Sequence, residues 1–294
     1  MISTFLLALA LQGASSADPI GDLLHADATL PEAVEPADAV DALRCVGDYI
    51  QGATIICRAA PGSVISLGDQ SATTDEEGWA ILGLDRNAAS EVTLRAAIAN
   101  GSVIETDFTV EQRDYDIQRV DGVPPATVNP PAEAIARIQA QSRQKAAAYT
   151  SRWDGAGFSG GFIEPAEGII TGVYGSQRVY NGEPRRPHYG LDFANDAGTP
   201  VVAVADGIVT LADPDMYYEG GLIFIDHGQG FTSAFLHLQD VDVEVGQVVR
   251  QGERIGTIGS GGRATGAHVD WRIKWRNRYI DPALALQLDV SSLR

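Results

Sequence analysis

Cysteine is almost missing from this chain of 294 residues. There are two, Cys45 and Cys57, so no second pair exists to complete a thiolate zinc knuckle. Basic residues are also scarce. The 21 Lys and Arg stand against 39 Asp and Glu, a formal charge of -18, which argues against nucleic acid or anionic membrane as partners, since both reward basic patches. Long apolar runs are lacking. Phe5 to Leu11 is a short run, far below the about 20 residues that a spanning helix needs, so no membrane span is expected in the mature chain. Helical periodicity is sparse, and the glycine-rich stretch Gly155 to Gly161 lacks the Lys-Ser/Thr ending of a phosphate loop.

What is present divides the chain into segments. Residues 1–17 hold the apolar run and then small residues ending at Ala17, which reads as a secretory signal peptide despite an n-region without Lys or Arg; an uncleaved start is the alternative. Residues 18–43 are rich in Asp, Glu, Ala and Pro, with no Lys or Arg, and read as an acidic, flexible leader. In an exported chain, Cys45 and Cys57 are expected to form a disulfide, with two buried thiols as the alternative. Residues 44–122 carry short β-like runs such as Val64 to Leu67, Trp79 to Leu82, Val92 to Ala96 and Phe108 to Val110, separated by turn residues, which predicts a small β-sandwich-like domain. It shows no catalytic constellation, which leaves a structural or wall-binding module.

Residues 123–161 read as a boundary: Val123-Pro124-Pro125 and Asn129-Pro130-Pro131, then helix formers over 132–151, then the glycine-rich stretch as a flexible linker. Residues 162–288 alternate β runs with turns, at Ile169 to Tyr174, Val201 to Ala205, Ile208 to Leu211, Leu222 to Asp226, Thr232 to Leu236 and Val269 to Trp275. The expected fold class is therefore mainly β, with an antiparallel sheet in this part and a short tail at 289–294.

Residues with metal-binding chemistry gather in this last part. In His188-Tyr189-Gly190-Leu191-Asp192 the His and Asp are four apart, and in Ala267-His268-Val269-Asp270-Trp271 they are two apart. Strand side chains repeat every two residues, so each pair shares a face. His237, in Phe235-Leu236-His237-Leu238, falls between them in the sequence. Imidazole nitrogen and carboxylate oxygen both suit Zn²⁺, and a catalytic zinc keeps three protein ligands with the fourth position open. Each residue taken singly would equally fit an ordinary structural place on a β face.

The ordered motifs around these residues resemble the lysostaphin-type, or LytM-like, zinc metallopeptidases that cut peptidoglycan cross-links. The resemblance covers about 163–286: Gly172-Val173-Tyr174-Gly175-Ser176-Gln177-Arg178, His188 to Ala194, Gly198-Thr199-Pro200-Val201, Ala205-Asp206-Gly207, Ile225-Asp226-His227-Gly228, Leu236-His237-Leu238, Gly259-Ser260 and Thr265-Gly266-Ala267-His268. It implies one Zn²⁺ per chain, with His188 and Asp192 as the first two ligands and His237 and His268 as catalytic histidines outside the ligand set. The family's closing His-x-His places the third ligand at Asp270, where this chain departs from the pattern.

The resemblance also implies peptidoglycan stem peptides as substrate, while the signal-like start and the cysteine pair imply an exported place, periplasmic, in the cell envelope or secreted. A carboxylate at position 270 adds one negative charge, which should make a bound zinc a weaker Lewis acid. Two functions remain open at this point. One is a zinc metalloendopeptidase; the other is a degenerate relative that binds and activates a cell-wall amidase.

Overall fold

The structure is a computed structural model that describes residues 42–121 and 130–294. The expected signal peptide, nearly all of the acidic leader and most of the proline-rich boundary lie outside the described residues.

Seven short strands come first: β1 (Leu43–Val46), β2 (Thr54–Ala59), β3 (Val64–Leu67), β4 (Gln70–Thr73), β5 (Trp79–Gly83), β6 (Glu91–Ala97) and β7 (Val103–Thr109). They form two antiparallel sheets, in the orders β1-β2-β5 and β4-β3-β6-β7. Every residue of β5 is buried, which its unbroken apolar sequence Trp79-Ala80-Ile81-Leu82 requires. Cys45 and Cys57 lie directly across from each other on β1 and β2 and are joined as a disulfide.

Next come β8 (Ile117–Val120) and the helix α1 (Ile135–Ala148), then β9 (Ile169–Gly172), β10 (Gln177–Tyr180) and β11 (Glu183–Pro184). The helix forms where Ala, Gln, Arg and Lys accumulate, but its apolar stripe is thin and only Ala148 of it is buried. Polar links hold it down instead. Arg137 and Gln141 donate to the Asp215 backbone carbonyl, the Gln141 side-chain Oε1 accepts from Tyr217 N, and Lys145 pairs with Glu219. Just past its end, Tyr149 packs on Phe224 with ring centroids 4.4 Å apart. The glycine-rich stretch is packed rather than hanging as an open linker. Phe158 is fully buried, and a Cβ on Gly157 would collide with the Asp206 carbonyl.

The rest of the chain is dominated by one large sheet. Its strands are β12 (Gly190–Ala194), β13 (Pro200–Val202), β14 (Gly207–Met216), β15 (Gly220–Asp226), β16 (Phe231–Val241), β17 (Val248–Val249), β18 (Arg254–Ile258), β19 (His268–Trp275) and β20 (Arg278–Ile280). The main path runs β17-β14-β15-β16-β19-β12-β9, all antiparallel. A short helix, α2 (Pro282–Ala285), is capped by the Asp281 carboxylate, which accepts from Ala283 N.

β19 decides what each face of the sheet carries. Val269, Trp271, Ile273 and Trp275 are fully buried and point into the core, whereas His268, Asp270, Arg272 and Lys274 alternate onto the opposite face. The core beneath is continuous with that of the first seven strands, with Ile55, Ile81 and Leu82 in one cluster with Trp271 and Trp275.

Candidate metal centre

Register places the candidate donors. On the polar face, Asp270 of β19 lies between Leu236 of β16 and Asp192 of β12, and Arg272 lies between Ala234 and Gly190. His188, just before β12, completes the group. His188, Asp192 and Asp270 offer donor atoms that all lie within 4.8 Å of one another. The closest pair is His188 Nε2 and Asp192 Oδ1, 3.1 Å apart. Both atoms are buried, and each faces the other with no hydrogen bond to any further group.

Glycines make room for the carboxylates. A Cβ on Gly172 would overlap Asp192 Oδ2, and one on Gly190 would overlap Asp270 Oδ1. The two carboxylates face each other on adjacent strands, so they repel unless a cation lies near. Part of that charge is met within the protein. Arg272 donates from Nε to Asp270 Oδ1 at 3.1 Å and Oδ2 at 3.0 Å, and from Nη2 to Oδ2 at 2.5 Å. Asp270 also stands 4.0 Å from His188, on the Nδ1 side of the ring, away from the Nε2 edge that meets Asp192.

Electrostatics follow from this arrangement. Burial opposes protonation of His188, but the carboxylates of Asp192 and Asp270 outweigh it and raise its pKa above the usual imidazole value. Burial likewise works to raise the pKa of Asp270. The Arg272 charge, with His188, overcomes that and holds the carboxyl below its ordinary range.

His237 and His268 lie beside this group, with ring centroids 4.8 Å apart. The Nδ1 of His237 is 2.9 Å from the Gly261 carbonyl, and the Nδ1 of His268 is 2.9 Å from the Gly266 carbonyl. A carbonyl can only accept, so Nδ1 donates in each ring and Nε2 is left as the proton-accepting nitrogen. Burial lowers the pKa of His237, which favours the neutral base. Its backbone is strained, with φ at 66°, and its N–H donates to the Glu219 carbonyl at 2.7 Å. Glu219 is the partner of Lys145 on α1, which links the helix to the candidate base.

The fourth histidine among the described residues behaves differently. His227 is fully buried and fully paired. Its Nδ1 donates to the Asp206 carbonyl at 2.8 Å and its Nε2 accepts from Ser233 Oγ at 2.8 Å, while Ser233 in turn accepts from Trp271 Nε1 at 3.0 Å. This is a structural chain. A cleft of about 820 Å³ lined by Glu164, Glu167, Thr199 and Leu286, among others, contains none of the candidate donors.

Sequence reasoning missed Arg272, Glu219 and the space-making role of Gly172 and Gly190. Arg272 was within reach of the argument already in use, because the period of two that pairs His268 with Asp270 also brings residue 272 onto the same face. Glu219 and Gly172 depend on which strands are neighbours, and no local pattern carries that.

The donors suit a zinc ion. One imidazole nitrogen and carboxylate oxygens are ordinary zinc ligands, and bonds of about 2.0–2.2 Å put tetrahedral donors about 3.3 Å apart, close to the His188–Asp192 spacing. Asp270 is the third candidate donor, but Arg272 already makes three hydrogen bonds to a carboxylate that offers about four acceptor positions.

Comparison with known proteins falls on the same stretch. Residues 186–282 match Peptidase family M23. Peptidoglycan DD-endopeptidase ShyA of Vibrio cholerae is 37% identical over 110 residues, 34% of this chain and 25% of that protein. Cell division protein DipM of Caulobacter vibrioides is 30% identical over 133 residues, 43% of this chain and 21% of that protein. The chain thus spans about a quarter or less of the length of these relatives. A crystal structure of a protein described as of peptidase M23 type, from Pseudomonas aeruginosa, superposes with a TM-score of 0.62 at 28% identity, covering 81% of this chain and 95% of that one. His188, Asp192, His237, His268 and Asp270 all lie within the matched stretch, and residues 186–282 of this chain are similar to Peptidase family M23.

Proposed function

We propose that this chain is a zinc metalloendopeptidase that hydrolyses peptide cross-links of peptidoglycan. The observation that carries the reading is the buried, facing pair His188 Nε2 and Asp192 Oδ1, which no further group hydrogen-bonds, with a third carboxylate in reach. His188, Asp192 and Asp270 would hold the ion, and the ion would supply Lewis-acid polarisation of the scissile carbonyl. His237, neutral through burial and with Nε2 free to accept, takes the proton from the attacking water. His268, its ring fixed by the Gly266 carbonyl, donates to the developing oxyanion or to the leaving amine once protonated. The name of ShyA supports peptidoglycan as the substrate class.

A second reading, partner binding without hydrolysis, such as activation of a cell-wall amidase, is favoured by one observation: the third donor, Asp270, is already held by Arg272. One experiment separates the two. Metal content and release of cleaved muropeptides are measured for wild type, His188→Ala, His237→Ala, His268→Ala and Asp270→His. The peptidase reading expects His188→Ala to lose metal and turnover, and His237→Ala and His268→Ala to keep metal while losing at least about 100-fold in turnover. Wild type that is metal-free and inert, with turnover only in Asp270→His, would establish the second reading.

A further inference from the structure

We propose that Arg272 is an internal competitor for the metal: its guanidinium occupies Asp270, and zinc gains its third donor only as that grip is released. The inference rests on the metallopeptidase reading and goes beyond it, because it assigns to one residue the control of metal affinity.

Three observations carry it. First, Asp192 and Asp270 face each other in register on adjacent strands, with the Asp270 side chain 3% exposed, so without zinc the group needs another cation. Arg272 lies on the same face, two residues from Asp270, and is the cation that reaches it, touching both of its oxygens. Second, the orientation of Asp270 serves the guanidinium. Asp270 stands 4.0 Å from His188 Nδ1, whereas Arg272 Nε lies 3.1 and 3.0 Å from its two oxygens, so its tightest polar contacts are with the guanidinium and not with the other candidate donors. Third, a guanidinium cannot give up its charge in a protein. An entering divalent ion therefore meets a fixed positive charge as well as an engaged ligand, and both lower its affinity.

The opposite role is physically reasonable. Carboxylate ligands are commonly steadied by hydrogen bonds from a second layer of residues, in which case loss of Arg272 would weaken metal binding. The two predict opposite signs.

The test uses the full chain. Zinc affinity is measured by competition with a chromophoric chelator for wild type, Arg272→Gln and Arg272→Lys, together with thermal unfolding with and without zinc. Arg272→Gln is expected to bind zinc roughly tenfold tighter or more. Without zinc it should melt below wild type, because Asp270 is then buried without its cation, and zinc should raise its Tm more than that of wild type. Arg272→Lys keeps the charge but not the two-pronged hold, so its affinity should fall between the two. It also decides the matter should the Gln variant fail to fold. Affinities of both variants equal to or below wild type would overturn the proposal. If wild type binds zinc and cuts peptides while the variants bind no tighter, only this inference falls. If no folded variant takes zinc, the metallopeptidase reading falls with it.

Discussion

At the scale of single residues, the contrast between His188 and His227 separates function from framework. Both are largely buried, yet His227 has a neutral hydrogen-bond partner at each ring nitrogen, while Nε2 of His188 meets only the Asp192 carboxylate. The paired one makes a stability prediction. Burial lowers the pKa of His227, although the Asp206 carbonyl and the charges of Asp226 and Asp206 work the other way. Its folded pKa thus lies below the unfolded value of about 6.5, so the unfolded chain binds the extra proton between the two. The contribution is complete above about pH 6.5 and is lost as pH falls toward the folded pKa, by up to about 1.4 kcal/mol per pH unit. Urea unfolding from pH 7.5 to 5 should show this loss in wild type. His227→Gln should be less stable at pH 7.5 and flatter over the same range; an unchanged slope would remove His227 as its source.

Gly190 supports a second prediction at this scale. It sits in register with Arg272, and a Cβ there would overlap Asp270 Oδ1. Gly190→Ala should therefore displace Asp270 and disturb its bonds to Arg272, costing about 1–3 kcal/mol in thermal stability, as overpacking does. Gly198 is the control. It has open space at its Cβ position, though its φ of 92° adds some backbone strain to any substitution. A smaller loss at Gly190 than at Gly198 would show that the Asp270 pocket tolerates the methyl.

At the scale of elements, the strands were legible because their patterns are local. The run Val64 to Leu67 is β3, and Val269 to Trp275 is β19 less its first residue. β19 was readable in two ways at once, since one set of alternate residues is wholly apolar and the other wholly polar. The resemblance, not the spacing, joined His237 to the other candidates; in space its neighbour is His268. What the sequence hid is non-local. The attachment of α1 through Arg137, Gln141 and Lys145 uses polar side chains that look like any solvated helix face. The packed state of residues 155–161 depends on Phe158 meeting a core assembled from distant strands. The disulfide was legible from the scarcity of cysteine, and its two residues lie opposite each other in register. Reducing it, or replacing both with Ser, should lower unfolding free energy by about 2–4 kcal/mol, measured by denaturant titration. A loss under about 0.5 kcal/mol would mean the β1–β2 pairing already restrains the unfolded chain.

At the scale of the whole molecule, the matched peptidase stretch is not self-sufficient. Gly83 of β5 lies so close to Ile280 that a Cβ would clash with it, and Trp275 is the next neighbour. Gln229 reaches from the large sheet to accept from Ile81 N and to donate to the Trp79 carbonyl. Arg278 pairs with Asp69, and Arg113 with Asp281 at 2.6 Å. Asp281 is 2% exposed, so removing its cation leaves a buried charge that only the cap bond to Ala283 N partly satisfies. Arg113→Ala should therefore cost about 2 kcal/mol, even though residue 113 lies far from the candidate donors in sequence. A chain that begins at residue 130 would lose Arg113 and also uncover Trp275 and Ile280. It should melt well below the full chain and bind a hydrophobic dye before unfolding. The comparison is thermal unfolding of the full chain, Arg113→Ala and the shortened chain under one set of conditions. Equal melting temperatures for all three would show that the first seven strands add nothing to the fold of the matched stretch. The expected order, full chain above Arg113→Ala above the shortened chain, would make the first seven strands part of the framework on which His188, Asp192 and Asp270 are held.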